Sequence, residues 1–229
     1  MADESFRVGF VPGVTLSKWQ RVWRERVPSI RLESFTVDPT VAVDSLWHGE
    51  ADACFVRLPV AAEGLSVIPL YQEAAVVVVP KDHAVTAFDE VALADLDADE
   101  MLDASGHVPA TIALVASGQG VVIVPQSLAR LHARKEVTYR PVTDAAPTTV
   151  ALVWPAERTT PLVEEFVGIV RGRTARSSRG TRADAPAADG TAPQKAAGGK
   201  ARGTAGGAPA ARRGGKAAST ARSRRRRRR

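Results

Sequence analysis

The sequence predicts an α/β protein in which a parallel sheet is flanked by helices, followed by a basic tail that has no core. Short apolar segments of strand type alternate with segments of helical spacing from residue 6 onward, and the composition changes abruptly near residue 170. The order β-α-β-α-β at the start of the chain is typical of a parallel sheet covered by helices. The body alone is long enough for one domain, or two small lobes, with a proper core.

The tail differs from the body in charge and in apolar content. Residues 171–229 carry 18 of the 31 Lys and Arg residues but only two of the 25 acids, a net charge of +16, whereas residues 1–170 have a net charge of −10. The tail contains no aromatic residue and no Leu, Ile or Val. Such a segment cannot bury enough apolar surface to offset the entropy lost on ordering. We expect a folded domain over residues 5–170 and a disordered, Ala/Gly/Pro/Arg/Lys-rich tail over residues 171–229.

The first half of the body is predicted to contain five strands and two helices. Ser17 and Gln20 have the spacing of a capping box at the start of the first helix, and Asp38 before Pro39 favours the start of the second. The last of these strands is a continuous apolar run, which indicates a fully buried central position. The strands are expected at residues 6–11, 30–37, 53–56, 65–70 and 74–79.

The second half begins with a short helix expected at residues 89–96. A helix over about 109–117 and a strand at 121–124 follow, with Gly118-Gln119-Gly120 between them. Phosphate-binding glycine turns run from a strand into a helix, so the reverse order favours a left-handed helix cap at Gly118. The remaining elements are a helix at 126–134, strands at 137–141 and 149–154, and a last helix starting at Thr160-Pro161.

No catalytic or metal-binding pattern is found. Cys54 is the only cysteine and lies among strand formers, which favours a buried, inert thiol. The four histidines have no metal-ligand spacing, and there is no Gly-x-Ser-x-Gly elbow. The acidic stretch 89–103 lacks the ligand spacing of an EF-hand, which favours a solvated helix face. We therefore expect no enzyme activity, no cofactor and no metal.

We expect no secretory signal at the N-terminus. It carries two acids and no apolar run before the first strand, and no segment approaches the roughly 20 apolar residues that span a bilayer. We expect a cytoplasmic protein without membrane contact.

Several segments together resemble the effector-binding domain of LysR-type transcriptional regulators. The matching pieces are FRVGFVP, HGEADACFVRLP, PLYQEAAVVVVPKDHAV, LVASGQGVVIVPQSLA, VTYRPVTD and VALVWP, in this order over residues 6–170. The resemblance implies a two-lobed fold like that of type 2 periplasmic binding proteins. It places one lobe at about 5–80 and 148–170 and the other at about 81–147. It also implies side-by-side, antiparallel pairing in a homodimer.

The sequence departs from the family's pattern in two places. The family carries an N-terminal winged helix-turn-helix, whereas this sequence starts at the first effector-domain strand, so we expect it to lack the DNA-reading module. About twelve residues separate Leu96 from Pro109, where such domains usually carry another strand and helix. A shortened second lobe is therefore expected.

A ligand of a two-lobed α/β domain binds at the carboxyl ends of the strands. The loop after the first strand could hold an anion through its N–H groups and the hydroxyl of Thr15, although an ordinary strand-to-helix turn explains it too. Arg57 could pair with an anionic ligand, and a surface ion pair is the alternative. The full set of candidates is Pro12, Gly13, Val14, Thr15, Arg57, Gln72, His107, Val124 and Pro125.

The tail ends in an unbroken run of arginines. Such runs neutralise phosphates and bind nucleic acid without sequence specificity, and the absence of aromatic residues argues against single-strand recognition. A solvated tail, or one that folds back on the acidic body, is the alternative. The candidate nucleic-acid contacts are Arg224, Arg225, Arg226, Arg227, Arg228 and Arg229.

Two main hypotheses of function remain. In the first, the domain senses a small, anionic metabolite by lobe closure and regulates transcription, as a homodimer or paired with a LysR-type regulator. In the second, the body is a non-sensing dimerisation scaffold and the basic tail binds DNA or RNA. A solute-binding protein unrelated to DNA is a weaker third possibility.

Deletion of residues 171–229 is expected to abolish retention of DNA at low salt, because it removes the charges that release counterions from the duplex. Retention on immobilised DNA measures this.

The sensor hypothesis further predicts that a metabolite raises the melting temperature of the body and that Arg57→Ala abolishes the increase. If no small molecule raises that temperature while the deletion abolishes retention, the sensor hypothesis fails.

Overall fold

Two β-sheets form the framework of residues 5–173, the part of the chain that the computed structural model describes. The arginines at 224–229, and all of the predicted tail beyond residue 173, lie outside the described residues. The larger sheet has five strands and the smaller has three. The predicted α/β, two-lobed fold is therefore present, but only the first three strands pair in parallel, and the remaining pairs of both sheets are antiparallel.

The larger sheet begins with the predicted parallel strands. β1 (Ser5–Phe10) lies between β2 (Arg31–Thr36) and β3 (Ala53–Arg57) and is parallel to both. β8 (Thr148–Pro155) is antiparallel to β3, and β4 (Leu65–Glu73) pairs with β8 at the edge. The strand order β2-β1-β3-β8-β4 thus places the carboxyl ends of β1, β2 and β3 at one end of the sheet.

Three helices cover the larger sheet: α1 (Ser17–Arg26), α2 (Ala42–Trp47) and α5 (Pro161–Val170). α5 begins as predicted, since the Thr160 hydroxyl accepts a hydrogen bond from the Val163 N–H and Pro161 occupies the first turn. We call this sheet with its three helices the first lobe.

Four aromatic rings form the centre of the first lobe. The ring of Phe6 stacks on Trp23 at a centroid distance of 5.0 Å. Phe166 of α5 lies 5.3 Å from Phe6, 5.8 Å from Trp23 and 6.0 Å from Phe55. All four side chains are almost completely buried. These contacts fix α1 and α5 against the sheet, because aromatic side chains supply much of the apolar area that a small core can bury.

The smaller sheet is built on β5 (Ala75–Pro80), which lies between β6 (Val122–Pro125) and β7 (Val137–Pro141). Both neighbours are antiparallel to β5. Val76 and Val78 face one apolar cluster, and Val77 and Val79 face another on the opposite side of the sheet. The predicted central, fully buried position of this strand is confirmed.

The smaller sheet together with α3 (Val108–Ala116) and α4 (Gln126–Leu131) is called the second lobe. The chain enters it after Glu73, because β4 belongs to the larger sheet and β5 to the smaller one. The crossing therefore lies at Ala74, before the boundary expected near residue 80. It leaves no long linker between the sheets at this point.

The helix predicted at residues 89–96 is wrong. Only two short 3₁₀ turns are present here, at Ala84–Ala87 and Leu93–Leu96. Val91 forms a β-bridge with Val142, and the Leu93 N–H donates to Asp144. The segment is therefore drawn into extended pairing beside β7, and this tertiary pairing overrides its helical spacing.

The predicted starts of the first two helices also need correction. Ser17 is the first residue of α1 rather than its cap, and the Gln20 amide donates to Ser34 on β2 at 2.8 Å instead of closing a capping box. Asp38 accepts hydrogen bonds from the hydroxyl and the N–H of Thr40, which form a turn, so α2 starts only at Ala42. The same two bonds lower the pKa of Asp38.

The glycines after α3 act as the sequence predicts. Gly118 has φ +83° and ends the helix in the left-handed conformation. Gly120 has φ +69°, and a Cβ at this position would lie 2.3 Å from the Glu100 carbonyl oxygen. The segment thus ends a helix and lets two backbone segments approach closely.

Among residues 5–173, no helix is both long and apolar enough to span a membrane.

Phe166→Ala is expected to lower the free energy of unfolding by about 3–5 kcal/mol, because it leaves a cavity among three other buried rings. Chemical denaturation followed by circular dichroism measures the change. Phe88→Ala is the matched control, since Phe88 is 61% exposed and its truncation should change stability by less than about 0.5 kcal/mol. Similar losses in the two variants would contradict this assignment of the core.

Candidate functional site

An open cavity of about 520 Å³ lies between the two lobes. The first lobe lines it with residues that follow the carboxyl ends of β1 and β2, where ligands of open α/β sheets bind. The second lobe lines it with one side of α4. The first-lobe residues are Phe10, Pro12, Gly13, Val14, Thr15 and Thr36, and the second-lobe residues are Ser127, Arg130 and Leu131.

The loop of residues 12–15 joins β1 to α1 and forms one wall of the cavity. Within the loop, the Val14 N–H donates to the Val11 carbonyl oxygen at 3.3 Å and closes a turn. Thr15 is exposed and Val14 is buried, so the wall combines a hydroxyl with apolar surface. The sequence identified all four of these residues as candidates, and the structure brings them together.

Arg57 lies behind this wall and is tied to both lobes. Its Nε donates to Glu73 at 2.7 Å, and its Nη1 donates to the Pro12 carbonyl oxygen at 2.8 Å. Its Nη2 donates to the Ser127 hydroxyl of α4 at 3.0 Å. The side chains of Arg57 and Glu73 are only 13% and 7% exposed. Arg57 therefore forms an ion pair, as one of its two sequence interpretations proposed, although the pair is buried rather than on the surface.

Gly13 allows the close packing around this arginine. Its φ is +88°, and a Cβ at Gly13 would lie 2.7 Å from the Ser127 Oγ and 2.9 Å from the Arg57 Nη2. Only a residue without a side chain fits this loop against α4 in this conformation. The Pro12-Gly13 pair in the sequence predicts a turn, but it does not predict that this turn packs against Ser127 on α4.

Sequence reasoning missed five lining residues: Phe10 and Thr36 at the ends of β1 and β2, and Ser127, Arg130 and Leu131 of the second lobe. The three second-lobe residues lie on one side of α4, whereas Leu128 and Ala129 are buried against the second sheet. Arg130 is exposed, and its Nε donates to the Tyr139 hydroxyl at 3.2 Å. The signal that could have found these three is the helix that starts directly after β6, since its polar face must point away from that sheet.

The remaining candidates do not line the cavity. Gln72 is exposed on β4, opposite Thr149 of β8. His107 is exposed, and its Nδ1 accepts from the Ala110 N–H at the start of α3. Val124 is buried in the core of the second lobe, and Pro125 directly precedes α4. Val124 and Pro125 do not line the cavity themselves, but they directly precede α4, which does.

The titratable groups near the cavity are few. Burial lowers the pKa of His132 at the end of α4, and the positive charges of His107 and Arg134 act in the same direction, which favours the neutral imidazole. Burial raises the pKa of Tyr71, with a further contribution from Glu73.

Neither a metal site nor a reactive thiol is found near the cavity. Within residues 5–173, no group of three or more His, Cys, Asp or Glu side chains could hold a metal ion. Cys54 is buried, as predicted, and burial raises the pKa of its thiol, which disfavours the reactive thiolate.

Glu73→Gln is expected to lower the free energy of unfolding by about 3–5 kcal/mol, because it leaves the buried Arg57 charge without its counter-ion. Urea denaturation of both proteins measures the difference. Glu136→Gln is the matched control, since Glu136 pairs with a Lys135 side chain that is 90% exposed, and a surface pair contributes about 1 kcal/mol or less. An equal effect of the two substitutions would contradict the importance of the buried pair.

Comparisons with known proteins identify the family of this chain. The family model described as the LysR substrate binding domain matches residues 2–107 and 102–175, in two stretches that meet at the short connection before α3. The Hca operon transcriptional activator HcaR of Escherichia coli K12 is 23% identical over 205 residues, which cover 76% of this chain and 69% of HcaR.

Solved structures agree with this assignment at the level of the fold. The effector-binding domain of BenM with its effector benzoate superposes with a TM-score of 0.63 at 20% identity, over 81% of this chain and 97% of that domain. The reduced regulatory domain of OxyR from Pseudomonas aeruginosa gives a TM-score of 0.57 at 23% identity, over 75% and 96%. The chain belongs to the LysR substrate-binding domain family, whose effector-binding domains take part in the regulation of transcription.

Proposed function

We propose that this chain senses a small anionic metabolite in the cavity between its lobes and passes the binding event to a transcription complex. The single observation that carries the proposal is the composition of the cavity, because its walls come from both lobes. A ligand that contacts both walls binds one arrangement of the lobes better than others and therefore shifts their population. This is a binding role, and we propose no catalytic step and no cofactor.

The polar groups of the cavity favour an anion. Arg130 is the one charged side chain in its lining, and it is exposed. The hydroxyls of Thr15, Thr36 and Ser127 add donors on both walls. The buried Arg57 is neutralised by Glu73, so its charge stands behind the site rather than in it. A guanidinium together with several hydroxyls suits a carboxylate.

Apolar groups in the same cavity favour a compact, partly apolar ligand. Phe10, Pro12 and Leu131 contribute this surface. Benzoate, the effector of BenM, combines a carboxylate with an apolar ring, and a small organic acid of this kind is the ligand class we propose here.

The proposed regulatory context has three parts. The domain pairs with a second copy or with a LysR-type regulator, acts in the cytoplasm, and contacts nucleic acid through Arg224–Arg229. The sequence supports the last part, since the tail carries a net charge of +16 and its six terminal arginines can neutralise phosphates without reading bases. A scaffold that does not sense a ligand and holds DNA or RNA through this tail is the alternative.

A thermal-shift screen of small carboxylic acids, benzoate included, tests the sensing role. At about 100 times its dissociation constant, a true ligand should raise the melting temperature of the full chain by roughly 5–10 °C. Arg130→Gln should greatly reduce the increase, because it removes the cation in the cavity lining.

Arg134→Gln is the control for that screen. Arg134 is exposed near the end of α4 and does not line the cavity, so the increase should persist in this variant. The absence of any increase across the panel would favour the scaffold alternative. Equal losses in the two arginine variants would show that the acids bind by general charge attraction.

A further inference from the structure

We propose that Arg57, Gly13 and Ser127 form a latch that holds the two lobes together beside the cavity. Arg57 belongs to the first lobe and Ser127 to α4 of the second, so the hydrogen bond between them joins the lobes next to the cavity that Ser127 lines. The inference rests on the proposed function only in calling this cavity the effector site. The latch itself consists only of contacts between protein groups.

The first argument for a latch is that Arg57 is held from three directions. Glu73 is the last residue of β4, one residue before the crossing into the second lobe, and Pro12 belongs to the cavity wall. A guanidinium that is tied to both of these groups has a defined position, because Arg has a rigid, planar set of donors. Its bond to Ser127 therefore fixes α4 relative to a rigid part of the first lobe.

The second argument is the close approach of the loop to α4. The built Cβ at Gly13 would lie 3.1 Å from the Ser127 Cβ, which shows that the loop packs directly against the Ser127 side chain on α4. Two lobes that were separated by solvent at this point would not require a glycine for space. Gly13 therefore serves the interlobe contact in addition to its turn.

The latch is also suited to opening. Ser127 is only half-buried, and its partner Arg57 keeps its charge neutralised by Glu73 when the hydroxyl leaves. Only one hydrogen bond joins Arg57 to α4, so opening at this point requires water or an anion to replace a single bond. An effector that binds the Ser127 hydroxyl would compete with Arg57 for it and change the spacing of the lobes.

The test measures the distance between the lobes in the effector-free full chain. Spin labels are attached to cysteines introduced by Lys18→Cys on α1 and Lys135→Cys after α4, and both positions are exposed. The native Cys54 is buried, so the labels react with the introduced cysteines. Ser127→Ala removes the acceptor of the latch and leaves the Arg57–Glu73 pair intact. We expect it to raise the population of open, longer distances by roughly tenfold, which is the effect of losing a charge-assisted hydrogen bond.

Two matched controls separate the latch from general effects of substitution. Ser117→Ala removes a hydroxyl that bonds only within its own helix end, and it should leave the distance distribution unchanged. Gly13→Ala should open the lobes as Ser127→Ala does. Gly118→Ala should not, since Gly118 has the similar φ of +83° but no atom within 4 Å of its built Cβ.

Distributions in Ser127→Ala and Gly13→Ala that match the parent protein would overturn the latch. If Gly13→Ala does not fold, Ser127→Ala decides the question alone, because removal of a half-buried hydroxyl leaves the core clusters intact. The distances are measured without any acid, so failure of the thermal-shift screen and failure of the latch are distinguishable outcomes.

Discussion

The site depends on how the chain accommodates the buried charge of Arg57. Removing an ion from water costs several kcal/mol, and the cost is recovered only when a counter-ion and further hydrogen bonds are in place. Here Glu73, Pro12 and Ser127 supply them, and they come from three different parts of the chain. The need to satisfy one guanidinium therefore brings together the end of β4, the β1–α1 loop and α4, and the last two line the cavity.

Two arginines lie near the cavity, and they differ in burial and in pairing. Arg57 is paired with Glu73 and bonds to both lobes, whereas Arg130 is exposed in the lining of the cavity. A structural arginine behind a site makes the geometry of the cavity depend on packing rather than on the ligand.

Most elements were predictable because their signals are local. Helix α3 and strand β7 fall within a residue of their expected positions, and the glycine after α3 adopts the expected left-handed cap. The segment from Asp89 to Leu96 was not predictable in this way. Its helical spacing yields to a β-bridge between Val91 and Val142, residues that are far apart in sequence. Ser17 fails as a cap for a similar reason, since Gln20 bonds to the neighbouring strand.

The sequence alone determined the alternation of strands and helices, the family, the loop of residues 12–15 as a cavity wall, and the division of charge between body and tail. These features follow from periodicity, composition and turn chemistry, which act over a few residues. Only the tertiary structure decided that Arg57 is an interlobe tie and that Ser127 and Arg130 face the same cavity. Those contacts join residues up to 70 positions apart, and their formation depends on how the two sheets pack rather than on any local pattern.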